Sequence, residues 1–169
     1  MKVILHLATS EDGFIAKENG DSDWVSATDE ELFRNRAKEA GCLIVGKRTF
    51  EQYQSKIYPV QGVLNIVLTS EKHTTQDIGP NVTFANTIPE AFELAKKNGK
   101  TSILIAGGAR TADEFLEAGF VNEVFLSVHP FRLHSGIKLS KDISIDARYK
   151  IAEEKQLEEG VKELHYVML

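Results

Sequence analysis

Short apolar runs recur along the chain, at residues 3–8, 42–45, 63–68, 102–106 and 124–128. They are continuous rather than alternating, and several are β-branched. Strands apolar on both faces belong in the interior of a sheet covered by helices. Helix signals lie between them. Thr28 precedes Asp29, Glu30 and Glu31, a Thr-x-x-Glu capping box that predicts a helix through Leu32, Phe33, Arg36 and Ala37 and a stop at Gly41. Thr87-Ile88-Pro89-Glu90 is a second capping box, leading into Ala91, Phe92, Leu94 and Ala95, with Gly99 as its stop. Residues 110–118 predict a helix with Phe115 and Leu116 turned inward and Gly119 as terminator. Residues 47–54 predict a short helix with Phe50 and Tyr53 on one face.

The predicted order is strand, long loop, helix, strand, helix, strand, then strand–helix–strand–helix–strand. That alternation implies an α/β fold with a largely parallel sheet and crossover connections. The end of the chain differs: residues 149–157 and 161–169 flank Glu158-Glu159-Gly160, the pattern of an antiparallel hairpin. No repeat, low-complexity tract or linker divides the sequence, so residues 1–169 are expected to form one domain.

Composition narrows the function classes. With 42% hydrophobic and 27% charged residues the chain has a globular balance, and its net charge of −5 gives it no general attraction for phosphate backbones. Nucleic acid is therefore not expected as a partner; a small molecule is. The one cysteine, Cys42, opens an apolar run and reads as a small buried hydrophobe, so a disulfide within the chain and a multi-thiolate zinc site are both excluded. No His/Cys/Asp/Glu spacing suggests any metal. The N-terminal run is too short for a secretory signal, and no stretch approaches the roughly 20 apolar residues that span a bilayer. The expectation is a cytoplasmic protein without membrane attachment.

In parallel α/β sheets, ligands bind beyond the carboxyl ends of the strands. Residues 10–24, 46–49, 69–72 and 107–111 lie at such ends. Gly107-Gly108 follows a strand and opens a helix, with Ala109, Arg110 and Thr111 in the first turn. It is either a structural turn or a place where backbone and helix N-terminus receive a pyrophosphate. Gly46-Lys47-Arg48-Thr49 repeats the arrangement with two cations and a hydroxyl, which makes a phosphate clamp or a solvated turn. Thr69-Ser70-Glu71-Lys72 ends a third strand and offers another anion contact or an ordinary polar turn. Three such turns on one rim argue jointly for a nucleotide. The connection from Ser10 to Trp24 is long enough to act as a lid, and Trp24 either packs in the core or walls a pocket.

In their order along the chain, Ser10-Glu11-Asp12-Gly13-Phe14-Ile15-Ala16, Asp23-Trp24, Leu43-Ile44-Val45-Gly46-Lys47-Arg48-Thr49-Phe50-Glu51, Asn65-Ile66-Val67-Leu68-Thr69-Ser70 and Ile103-Leu104-Ile105-Ala106-Gly107-Gly108 resemble the dihydrofolate-reductase superfamily. The branch that looks closest contains the reductase domain of bacterial riboflavin biosynthesis and its stand-alone relatives. The resemblance implies a three-layer fold with a mixed, mostly parallel sheet of about eight strands. It implies NADPH, with Ile15 and Ala16 beside the nicotinamide. Gly46, Lys47, Arg48 and Thr49 would hold phosphates, and Gly107, Gly108, Ala109, Arg110 and Thr111 would receive the pyrophosphate. Thr69, Ser70 and Lys72 would lie near the adenosine 2′-phosphate. It also implies a homodimer, and a reaction resembling that of 5-amino-6-(5-phosphoribosylamino)uracil reductase or dihydrofolate reductase.

The departures concern the substrate. Folate-reducing members carry a carboxylate on the helix after the tryptophan; here Asp29, Glu30 and Glu31 share that neighbourhood, where acids also favour the helix dipole. Riboflavin-type members tend to carry arginine there for a phosphorylated ribose, and their Asp/Asn-Pro stretch is replaced by Phe50-Glu51-Gln52-Tyr53-Gln54. The zinc deaminase motif that often accompanies them is missing. The leading expectation is an NADPH-dependent oxidoreductase that moves a hydride to a C=N or C=O bond of a small heterocycle. A water or a nearby acid would supply the proton, Asp29 or Glu30 first with Asp12 and Asp23 behind them, and Asp12, Trp24 and Phe33 would contact substrate. The alternative is a non-catalytic NADP(H)-binding sensor or assembly module. His6 reads as a satisfied core residue, His129 and His134 as residues able to reach a substrate, and His73 and His165 as surface or hairpin residues.

Overall fold

The computed structural model describes residues 1–72 and 79–169; His73 lies outside them. Eight strands form one sheet: β1 (Lys2–Ser10), β2 (Cys42–Gly46), β3 (Leu64–Leu68), β4 (Val82–Ala85), β5 (Ser102–Ile105), β6 (Glu123–His129), β7 (Tyr149–Gln156) and β8 (Lys162–Met168), in the order β4-β3-β2-β5-β1-β6-β8-β7. Strands β1 to β6 pair in parallel. The terminal hairpin adds β8 antiparallel to β6, and β7 antiparallel to β8. The architecture is the largely parallel α/β sheet with a terminal antiparallel hairpin that the apolar runs and the hairpin pattern predict, and its eight strands agree with what the resemblance implies.

Among the described residues four α-helices cover the sheet: α1 (Ala27–Ala40), α2 (Lys47–Gln52), α3 (Ile88–Lys97) and α4 (Ala109–Glu117). Successive side chains of the central strands divide between two cores, as the two-residue period of a strand demands. Leu43 and Val45 of β2 join Leu104, Ala37 of α1 and Phe50 of α2 on one face. Cys42 and Ile44 join Ile103, Ile105, Ala91 and Ala95 of α3 and Phe115 of α4 on the other. Burial pushes the Cys42 thiol up to about 12, which fits its reading as a core residue.

The helix ends agree with their signals in all but one case. Thr87 caps α3 by accepting from the Glu90 amide, and Gly41 ends α1 at φ 70°. At the start of α1 the cap is Ser26 rather than Thr28: the Ser26 hydroxyl accepts from the Asp29 amide at 3.1 Å, while Thr28 already lies inside the first turn. Two overlapping cap patterns exist in the sequence. The Ser26 amide, which donates to His129 Nε2 at 3.1 Å, fixes the earlier one. Among the described residues no helix is long and apolar enough to cross a membrane.

Candidate functional site

A cavity of about 800 Å³ runs along the carboxyl ends of the strands. Sheet order dictates its layout. The turn after β3 supplies Thr69 and Ser70 at one end, the turns after β2 and β5 meet in the middle, and β1 with the start of α1 closes the other end.

The middle is built from two interlocked turns. The Gly46 amide donates to the Gly107 carbonyl at 2.9 Å. A Cβ on Gly46 would stand 2.7 Å from Thr111 Oγ1, and one on Gly108 would stand 2.8 Å from Thr49 Oγ1. Each glycine thus makes room for a threonine hydroxyl of the opposite turn. The peptide between Gly107 and Gly108 is cis, and Gly107 has a φ of 91°, where an L side chain is strained. The structural reading of these glycines holds. Gly108 caps α4 without a side-chain bond, so the first amides of α4 keep their hydrogens for an anion.

Charge on this rim is unevenly free. Lys47 bonds Glu71 and approaches Glu51 at 3.8 Å, and the bond to Glu71 raises its ammonium above the usual lysine value. Arg110 pairs with Glu114 at 3.0 Å. Arg48 is exposed on the cavity wall with no ion pair among the described residues.

The far end is buried and acidic. Asp29 is only 2% exposed. Its Oδ1 accepts from Ser127 Oγ at 2.5 Å and is 3.1 Å from His6 Nε2, while Oδ2 carries no bond to the described residues. Burial pushes this carboxyl up, but the bonds from His6 and Ser127 outweigh it and hold it below the ordinary carboxylate value. That direction, with Oδ1 accepting from two donors, suits an ionised, hydrogen-bond-accepting carboxylate more than the proton-donating acid expected from the sequence. Phe33 stands beside it, 5.6 Å from the His6 ring and 6.4 Å from Tyr58 between centroids.

The connection after β1 is tied down rather than free. Ile15 and Ala16 exchange backbone bonds with Ile137 at 2.8 Å each, and the Ser22 amide donates to the Tyr53 hydroxyl at 2.7 Å.

The sequence of the RibD C-terminal domain family matches residues 1–162 of this one. The chain belongs to that family. As a RibD C-terminal domain it is 32% identical to the uncharacterized protein YwjB of Bacillus subtilis, over 98% of this chain and 97% of that protein. It is 27% identical to YyaP of the same organism, over 98% and 94%. Among solved structures it is similar to a protein from Shewanella sp. PV-4 named for riboflavin biosynthesis, with a TM-score of 0.80, 19% identity and coverage of 100% and 99%. A pyrimidine reductase-like protein from Corynebacterium diphtheriae gives a TM-score of 0.75, 16% identity and coverage of 99% and 92%. These two likenesses establish the fold.

In this RibD C-terminal domain the cavity brings together Ile15, Ala16, Asp29, Glu30, Phe33, Gly46, Lys47, Arg48, Thr49, Thr69, Ser70, Gly107, Gly108, Ala109, Arg110 and Thr111. Asp12 and Trp24 do not line it. The Asp12 carboxylate is taken by the Ser10 hydroxyl and the Leu133 and His134 amides. Trp24 packs edge-on against His129 and Phe131 at 5.2 Å from each, partly buried and outside both core clusters. Sequence reasoning missed Ser127, and it assigned His6 to the core when its ring also bonds the cavity carboxylate. An apolar strand interrupted by one histidine, and another by one serine, was the available signal. His129 reaches no substrate position, because Ser26 and Ser127 occupy both its nitrogens.

Proposed function

We propose that this chain is a reductase that uses a nicotinamide dinucleotide, with NADPH as the expected form, and acts on a small heterocycle bearing N–H groups. One observation carries the reading: a single cavity joins glycine turns and hydroxyls suited to phosphates with a buried, ionised carboxylate. A volume of about 800 Å³ is within the range of cofactor sites. The donor set fits the dinucleotide chemically. Uncapped amides at the start of α4, the hydroxyls of Thr49, Thr69, Ser70 and Thr111 and the Arg48 guanidinium, which has no ion pair among the described residues, suit its phosphates.

NADPH, when bound, would supply the hydride. The chain's own residues do the rest. Asp29 Oδ2 accepts a hydrogen bond from a substrate N–H and so fixes the orientation of the ring. Phe33 and Tyr58 offer it aromatic wall, and burial keeps water from competing for the carboxylate. As Asp29 is already ionised, the proton that completes reduction of a C=N or C=O bond comes from water at the open side of the cavity. Among the described residues no arginine lines the cavity beside Asp29, which favours an unphosphorylated substrate.

Thermal unfolding with NADPH, with NADH and without ligand tests this, repeated on Arg48→Ala. Ligand at 100 times its Kd adds about 2.7 kcal/mol. Stabilisation by NADPH above NADH, diminished in the variant, supports the cofactor assignment. No shift with either nucleotide overturns it. Binding without turnover of any carbonyl or imine substrate leaves the non-catalytic sensor or assembly module.

A further inference from the structure

Behind Asp29 lies a buried polar chain that the cavity itself does not require. Arg36 of α1 bonds both carboxylate oxygens of Glu163 on β8, at 2.8 Å each, through Nη1 and Nη2. Its guanidinium carbon sits 3.7 Å from the centre of the Phe125 ring. Nη1 carries a second hydrogen, and His6 Nδ1 lies 2.8 Å away. Arginine has only donors and keeps its charge at every working pH, so His6 Nδ1 accepts and bears no proton. The ring proton must then reside on Nε2, which faces Asp29 Oδ1 at 3.1 Å. His6 is a neutral donor to Asp29, not its ion-pair partner.

The second histidine next to Asp29 is locked in the same charge state by different means. His129 Nε2 receives the Ser26 amide, so its proton is on Nδ1, where it meets the Ser127 carbonyl at 3.2 Å. The charged or titratable groups around Asp29 are His6 from β1, His129 from β6, Glu30 and Arg36 from α1, and, beyond Arg36, Glu163 from β8. Both imidazoles are neutral, and Glu163 matches the charge of Arg36. Among the described residues no lysine or arginine contacts the Asp29 carboxylate, and its Oδ2 carries no bond to them.

We propose that His6 is a positioning residue for the reaction, with Arg36 locking it as the neutral Nε2–H tautomer so that it holds Asp29 anionic and turned toward the cavity. The proposal rests on the reading of Asp29 as the carboxylate that meets the substrate. It predicts a ligand edge that supplies N–H hydrogens, with a protonated edge preferred over a neutral one, because the protein supplies no counter-charge in contact with the carboxylate.

The test begins with the unaltered protein, labelled with ¹⁵N-histidine and read by long-range ¹H–¹⁵N correlation. His6 should show a bare Nδ1 and a protonated Nε2 at pH 7. An imidazolium, or the Nδ1–H tautomer, at pH 7 overturns the proposal. In Arg36→Met/Glu163→Gln the hydrogen aimed at Nδ1 is gone, and the Nδ1–H tautomer of His6 should become populated at that pH. Next, His6→Leu and His6→Gln are compared by the carboxyl ¹³C titration of Asp29 and by the pH profile of kcat/KM for NADPH oxidation. Loss of the donor in His6→Leu should move both acid limbs up by about one pH unit or more, and the amide N–H of His6→Gln should restore them. An Asp29 titration unmoved in His6→Leu overturns the role of His6. A protein that oxidises NADPH with no substrate defeats the reductase reading instead, and the Asp29 titration still decides the role of His6.

Discussion

Replacing Gly46 by alanine isolates the contact between the two central turns. Gly46 has a φ of −66° and a ψ of 143°, a conformation open to any residue, so the backbone itself does not resist the change. On that ground alone the substitution would stabilise by about 0.4–1 kcal/mol, through the restricted unfolded chain. The obstacle is steric. The new Cβ would stand 2.7 Å from Thr111 Oγ1, closer than carbon and oxygen tolerate. Thr111 is 7% exposed and β-branched, so it has little room or rotamer freedom to yield. Overpacking of this kind costs about 1–3 kcal/mol, and Gly46→Ala should be net destabilising by about 1–2 kcal/mol. With Thr111→Ala in place the obstacle is absent, and Gly46→Ala should turn neutral or stabilising. Urea unfolding of the four proteins measures the coupling from the midpoints at constant m. Equal effects of Gly46→Ala in both backgrounds would refute the interlock.

Three further outcomes follow from particular contacts. Ser26→Ala should cost about 1 kcal/mol, as loss of an N-cap does, whereas Thr28→Ala, whose hydroxyl only meets Glu158 at 3.3 Å on the surface, should be nearly silent in the same urea assay. Thr87→Ala should likewise cost about 1 kcal/mol, since its hydroxyl caps α3 at the Glu90 amide. Asp12 is held down at about 2: partial desolvation raises it, and the bonds from Ser10, His134 and Leu133 together outweigh that. A depressed folded value means a contribution present above the unfolded value and lost as pH falls through the folded one. Acid unfolding between about pH 4 and pH 2 should therefore be shallower in Asp12→Asn than in the unaltered protein. NADPH binding should be unaffected, because Asp12 does not line the cavity.

What the sequence revealed was what short range decides. The apolar runs marked β1, β2, β3, β5 and β6, because strands buried on both faces are apolar at every position. Strand β4 was required by the order of elements but not locatable. Its four residues, Val82–Ala85, sit at the sheet margin, and only Ala85 is buried. The glycine turns were legible because a glycine, a hydroxyl and a cation next to a strand end are neighbours in the chain. The acidic end was not. Which of Asp29, Glu30 and Glu31 turns inward depends on where α1 begins, and a contact from His129, 103 residues from Ser26, sets that. Ser127, 98 residues from Asp29, then completes the carboxylate's environment.

The two ends of the cavity therefore differ in how they can change. In the middle, each glycine is matched to one threonine hydroxyl across the gap, so a single substitution on either side is felt by both turns. At the acidic end the wall is a carboxylate held by side chains from β1, β6, α1 and β8, with one oxygen uncommitted. Glu30, which lines the same cavity, carries no bond to the Asp29 carboxylate. Substrate preference is thus free to drift at this end while the glycine turns stay fixed. For the same reason resemblance to reductases of other substrates names the chemistry of the cavity more readily than its ligand.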